Sequence, residues 1–231
     1  MLHELLQIFR SDNPLAKIAE DFSRMLKLTC AMTLTAGDIY FRKPVTPEER
    51  AQLYASDVEV NVLERSIRKH IVAHLSVRAN TPNLPYCLLL MSLVKDVERI
   101  GDYTKNLSEV VDIYAGELPD DEVGAELREM RATIEKSFLD AAEVFVNSDR
   151  ERALVLIAQG KDVARRADGL LARIARLDYD AGKITALVLG VRYYKRIGGH
   201  LLNLLSSVVM PLHKVDYYDE DEVRAHAGNT S

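Results

Sequence analysis

The pentapeptide Glu98-Arg99-Ile100-Gly101-Asp102 recurs as Lys195-Arg196-Ile197-Gly198-Gly199, so one unit is present twice in the chain. At the same offset Leu90 pairs with Leu187, Val94 with Val191, Asn106 with Asn203, Leu107 with Leu204 and Val111 with Val208, which a chance pentamer would not bring along. A glycine in a helix interior costs about 1 kcal/mol relative to alanine. Its presence at the same repeat position twice therefore predicts that two helix backbones approach closely there. Packing accounts for the shared Arg-Ile-Gly. It does not account for Glu98 and Asp102, the two acids the second copy has lost.

Hydrophobic periodicity is helical throughout, and turn signals divide the chain into six long helices after a short N-terminal amphipathic segment, Met1 to Phe9. Asn13-Pro14 opens the first helix, which carries Leu15, Ile18, Phe22, Met25, Thr29 and Met32 on one face to about Phe41. Thr46-Pro47-Glu48-Glu49 has the form of a capping box with proline at the first helical position, and starts a second helix. The run Ala79 to Pro85 ends it. A third helix lasts to about Ala115, and Gly116-Glu117-Leu118-Pro119-Asp120 is the natural boundary between units.

The pattern then restarts. Val123, Leu127, Met130, Ile134, Phe138, Ala141 and Phe145 repeat, at a constant offset, Ile18, Phe22, Met25, Thr29, Thr33, Ala36 and Tyr40. Ser148-Asp149-Arg150-Glu151 is a second capping-box pattern opening a fifth helix, and Asp178 to Gly182 lead into the sixth. No segment alternates like a strand. The expected fold is all-α: two tandem three-helix bundles related by an internal repeat, over residues 1–116 and 117–215, with an acidic tail at 216–231 expected to be disordered.

The charge balance excludes some functions. The net charge of −5 over 231 residues is concentrated in the tail, where Asp216, Asp219, Glu220, Asp221 and Glu222 face only Arg224, so the folded body is near neutral. No basic stripe is available to neutralise phosphates along a nucleic acid, and nucleic-acid binding is not expected. With 48% hydrophobic residues but no apolar run near the ~20 residues of a membrane span, the chain is expected to be soluble. The N-terminal segment, interrupted by His3 and Glu4, does not have the form of a secretion signal. Cys30 and Cys87 stand far apart in apolar stretches and are expected to be buried free thiols in a reducing cytoplasm.

Glu98, Asp102 and Asn106 are spaced i, i+4, i+8, which aligns three oxygen-bearing side chains on one helix face. Asp57 and Asn61 share that spacing on the preceding helix, and antiparallel packing can set the two rows opposite each other. Such a set suits a divalent cation, magnesium, manganese, zinc or iron. It equally suits a solvated polar face with Arg65, Arg99 and Lys105 as neighbouring cations. His70 and His74 form a second i, i+4 pair, but without the glutamate of a His-Glu-x-x-His zinc site they are expected to be structural. Glu-x-x-His pairs of di-iron bundles, phosphate loops and nucleophile elbows are missing from the sequence. A catalytic role has no residues to rest on.

With Val97-Glu98-Arg99-Ile100-Gly101-Asp102 followed by Asn106, and Tyr194-Lys195-Arg196-Ile197-Gly198-Gly199 followed by Asn203, the chain resembles the PhoU phosphate-uptake regulators from about Pro14 to Pro211. The resemblance implies a non-catalytic regulator that couples a membrane phosphate transporter to a sensor histidine kinase, is often a homodimer, and works in the cytoplasm or at the inner face of the membrane. It also implies metal binding through paired Glu/Asp-x-x-x-Asp motifs on the second and third helices of a bundle. Here Glu98 and Asp102 fit fully, while Asp57 with Asn61 departs at the second position. In the second bundle Lys195 and Gly199 remove the third-helix pair and only Asp168 remains on the helix before it, so metal is expected in the first bundle only. The alternative reading is a divalent-metal-binding or metal-sensing bundle.

Overall fold

Six long helices make up the described part of the computed structural model, residues 15–215. The amphipathic segment Met1–Phe9, the Asn13-Pro14 signal and the acidic tail lie outside it. The helices are α1 (Leu15–Tyr40), α2 (Pro47–Leu75), α3 (Leu84–Ile113), α4 (Glu122–Asn147), α5 (Arg150–Ile174) and α6 (Ala181–Val209), with short 3-10 turns at Arg78–Asn83 and Leu212–Lys214. Helices α1 to α3 pack on one another, as do α4 to α6, giving two three-helix bundles. No strand occurs among the described residues, and no helix there is long and apolar enough to cross a membrane.

Helix starts follow local chemistry. The hydroxyl of Thr46 accepts from the backbone N–H of Glu49 at 3.1 Å, and the Glu49 carboxylate accepts from the N–H of Thr46 at 2.8 Å, a complete capping box ahead of Pro47. The second expected box is displaced by one residue. Asp149 caps α5 by accepting from Arg152 N–H at 3.0 Å, while Ser148, at φ 52°, closes α4 in the left-handed region. With two residues joining the helices, one must end the first and the other begin the next. Leu84 and Pro85, expected in the break, instead form the first turn of α3, where an orphan N–H is no loss.

Both bundles share one apolar core. The duplicated α1 and α4 positions are buried as pairs from Ile18 and Val123 to Ala36 and Ala141. Thr29 and Thr33, the polar members, satisfy their hydroxyls by donating to Met25 O and Thr29 O at 3.0 and 2.7 Å. Cys87 is buried and Cys30 half-buried, both free.

The bundles join mainly through their third helices. Asp96 of α3 contacts His200 of α6, and Tyr103 of α3 packs against Tyr193 of α6 with ring centroids 6.3 Å apart. Asp96 and Tyr193 are repeat equivalents, as are Tyr103 and His200, so each contact is the image of the other. The two helices run antiparallel about a local pseudo-twofold axis, on which Tyr103 stacks on His200 at 5.7 Å. Away from this contact α1 and α4 leave an apolar cleft of about 530 Å³ between the bundles.

The two repeated glycines do occupy equivalent places, but not at backbone contacts. A Cβ on Gly101 would meet Thr29 Cγ2 and Val60 Cγ1 at 3.7 Å, and one on Gly198 would meet Cδ1 of Ile134, the counterpart of Thr29, at 3.6 Å. Both are ordinary van der Waals separations from side chains. A glycine is required instead at Gly190, where a Cβ would fall 2.1 Å from the Tyr40 hydroxyl. Tyr40 is fully buried there and donates to Ala186 O at 3.1 Å.

Candidate functional site

The apolar stripe of α3 packs Val97, Ile100 and Gly101 inward, and that of α2 does the same with Val60 and Leu63. The intervening acids therefore come to one margin of the α2–α3 seam. Glu98 and Asp57 lie largely covered, with side chains 14% and 12% exposed, and Asp102 is more open. Burial, then the charge of Asp102, pushes the Glu98 carboxyl above the ordinary glutamate range; Arg99 opposes the shift, and Glu64 and Asp57 add to it. Asp57, Glu98 and Asp102 are thus brought to the same margin, with Asn61 one turn along α2 from Asp57.

Each acid already has a cation. Arg99 donates to Asp102 Oδ2 at 3.0 Å and lies 3.4 Å from Glu98 Oε2, Lys105 donates to Asp57 Oδ2 at 3.5 Å, and Glu64 is taken by Arg68 at 2.8 Å. Among the described residues no three His, Cys, Asp or Glu side chains form a group that could hold a metal ion. The donor set in this arrangement is an ion-pair network and does not fit a tightly held cation: a metal would have to displace Arg99 and Lys105 to gain its ligands.

Of the two histidines, His74 has a structural role. Buried His74 has its two ring nitrogens 3.3 and 3.0 Å from the side-chain amides of Asn80 and Asn83, and its carbonyl accepts from Asn80 Nδ2 at 2.8 Å, which fastens the 3-10 turn to the end of α2. His70 is exposed, beside Ser66 at 3.4 Å.

The same location in the second bundle has the opposite chemistry. Lys195 stands where the first bundle has Glu98 and donates to Asp168 at 2.6 Å. Gly199, in place of Asp102, would place a Cβ in open space. A cavity of about 480 Å³ opens there, with Arg165, Arg192 and Arg196 on its walls and His200 at its inner side. His200 Nδ1 lies 2.7 Å from Asp96 Oδ1, which also accepts from Asn203 Nδ2 at 2.9 Å.

Sequence reasoning missed Asp96, though its signal was present: it is an acid on the apolar stripe of Leu93, Val97 and Ile100, where only a partnered carboxylate can be buried. It also missed the junction between α1 and α4. There Arg131 donates to Glu135 at 2.7 Å, to Gly37 O at 3.1 Å and to Asp38 at 2.5 Å, and lies over the Phe41 ring. Burial raises the Glu135 carboxyl above its usual range against the pull of Arg131. Burial also works against the charge of Asp38, but hydrogen bonds from Arg131 and Lys43 outweigh it and hold that carboxyl below its usual range.

Residues 22–111, nearly all of the first bundle, match the PhoU domain family model. In fold, the chain is similar to the crystal structure of PhoU from Pseudomonas aeruginosa, with a TM-score of 0.75 and 21% identity over 84% of this chain and 95% of that one. It is also similar to the phosphate transport system regulatory protein PhoU from Streptococcus pneumoniae, with a TM-score of 0.66 and 16% identity over 85% and 95% of the two chains. No curated protein matches it by sequence. The family match covers the first bundle, where Glu98 and Asp102 are present; for the second, with those acids replaced, the likeness is one of fold.

Proposed function

Taking as premise that the chain is a PhoU-family protein, with its PhoU domain at residues 22–111, we propose that it is a non-catalytic regulator of phosphate transport and phosphate signalling. The observation that carries this reading is the agreement of the domain match with a fold shared, over most of the chain, with a protein described as a phosphate transport system regulator. The site chemistry is compatible with it. The ionisable groups on the α2–α3 seam are paired with one another, and the cleft between α1 and α4 is walled mainly by apolar side chains and contains no acid–base pair. The protein acts as a helical adaptor for a membrane phosphate transporter, a sensor histidine kinase or both, in the cytoplasm or at the inner membrane face, and as a homodimer.

Deleting the gene tests this. At replete phosphate the deletion strain should express phosphate-starvation genes and show altered phosphate uptake, both restored by the intact gene. Unchanged uptake and gene output would overturn the regulatory reading.

A second reading, divalent-metal binding in the first bundle, is favoured by one observation: the carboxylates of Asp57, Glu98 and Asp102 come to one margin of the α2–α3 seam, and a cation there would have to displace Arg99 and Lys105. Metal analysis of untagged protein should then find manganese, zinc, iron or magnesium that is lost on combining Glu98→Ala with Asp102→Ala. Metal retained in that variant would place the ligands elsewhere.

A further inference from the structure

We propose that the cavity between α5 and α6 is a binding site for a phosphate group, created when the second copy of the repeat reversed the charge of the first. At the offsets that superpose the two units, the walls of this cavity are the counterparts of the acidic seam: Ala164 replaces Asp57, Lys195 replaces Glu98, Gly199 replaces Asp102 and Arg192 replaces Lys95. Arg196 keeps the place of Arg99, and Arg165 replaces Val58. Four cationic side chains, Arg165, Arg192, Lys195 and Arg196, thus face a single wall carboxylate, Asp168.

Space has been made as well as charge. The missing side chain at Gly199 leaves nothing within 4 Å of its Cβ position, and the cavity of about 480 Å³ has room for a phosphate or diphosphate with its water. The donors are available. Arg165 is paired with Asp162 at 2.7 Å and Lys195 with Asp168 at 2.6 Å, but Arg192 and Arg196 form no ion pair with any described residue. Planar guanidinium forks beside a lysine match phosphate oxygens in geometry and charge. His200 forms part of the wall and is held in place there, with Nδ1 against Asp96 and its ring stacked on Tyr103. An entering phosphate competes with Asp168 for Lys195, exchanging one carboxylate for an anion lodged between walls that also carry Arg192 and Arg196.

Calorimetric titration of the full chain with inorganic phosphate and with pyrophosphate, at constant low ionic strength balanced with chloride, tests the site. The parent should bind one anion per chain, and Arg192→Ala with Arg196→Ala should weaken binding about tenfold or more. Both arginines are exposed, so the fold should persist, as thermal melting will check. Lys195→Glu with Gly199→Asp, which restores the acids of the first bundle, should abolish binding. The control pair Lys69→Ala with Arg78→Ala, equal in charge and exposed on the first bundle, should leave it unchanged. Absence of binding by the parent, binding undiminished in the Arg192/Arg196 variant, or equal weakening in the control pair would each overturn the proposal.

Discussion

His200 on α6 reaches across the bundle junction to Asp96 on α3, with Nδ1 2.7 Å from an oxygen of a carboxylate that has no solvent exposure. Asn203 Nδ2 is the other donor to the same oxygen. A buried polar group costs stability where it is not hydrogen-bonded; both donors from the opposite helix meet Oδ1, while the buried Oδ2 has no partner among the described residues, so the junction depends on these two contacts. Replacing His200 by alanine leaves Asp96 with one partner, and should cost about 3 kcal/mol in urea unfolding. Asp96→Asn, which keeps an acceptor for both donors, should cost clearly less. Equal losses in the two variants would show that the contact contributes shape and not charge.

Arg131 is the corresponding anchor at the other end of the junction, between α1 and α4. Its fork engages Glu135, Asp38 and the Gly37 carbonyl together, a geometry lysine cannot reproduce. Arg131→Leu strands the largely covered Glu135 and should destabilise by about 3 kcal/mol. Arg131→Lys should recover only part of the loss. Complete recovery with lysine, read from the same denaturation curves, would mean that charge alone holds the junction.

The glycines separate what repetition implies from what packing requires. Gly101 has room for a methyl group, so Gly101→Ala should be neutral or stabilise by up to about 1 kcal/mol through the unfolded chain. Gly101→Leu would be pushed into Thr29 and Val60 and should cost about 1 to 3 kcal/mol. Gly190→Ala should be the costly small change, also about 1 to 3 kcal/mol, because the new Cβ coincides with the Tyr40 hydroxyl. Thermal melting of the three variants orders them, and a Gly190→Ala protein as stable as the parent would contradict the close approach.

Periodicity and turn chemistry were enough to place all six helices, because an amphipathic stripe and a cap are local signals. The bundle junction was not visible in the same way. Gly190 occupies the repeat position of Leu93, so the repeat gave no reason to single it out, and Tyr40 is its neighbour only after the chain folds. Asp96 breaks the stripe visibly, but its partners are on the other bundle. The acidic seam was legible as a row of oxygens from the i, i+4 spacing. That Arg99 and Lys105 would close on it depended on side-chain reach, which spacing does not fix.

Glu98 gives the protein a signature in pH. Burial and the neighbouring acids raise its carboxyl in the folded state, so the folded protein holds this proton more tightly than the unfolded chain, whose glutamate titrates near 4.3. The unfolded state then binds fewer protons between that value and the raised one, and stability rises as pH falls through this window. Above the window the charged Glu98 is a net cost. Glu98→Gln, which keeps the shape and removes the charge, should therefore be more stable than the parent at neutral pH, by under about 1 kcal/mol given the partial exposure and the Arg99 contact. The advantage should shrink as pH is lowered and vanish below about pH 4. Urea midpoints of parent and variant, measured in chelator from pH 4 to 8, give the difference directly. A parent more stable than the variant at pH 7 would mean that Arg99 more than compensates the buried charge of Glu98.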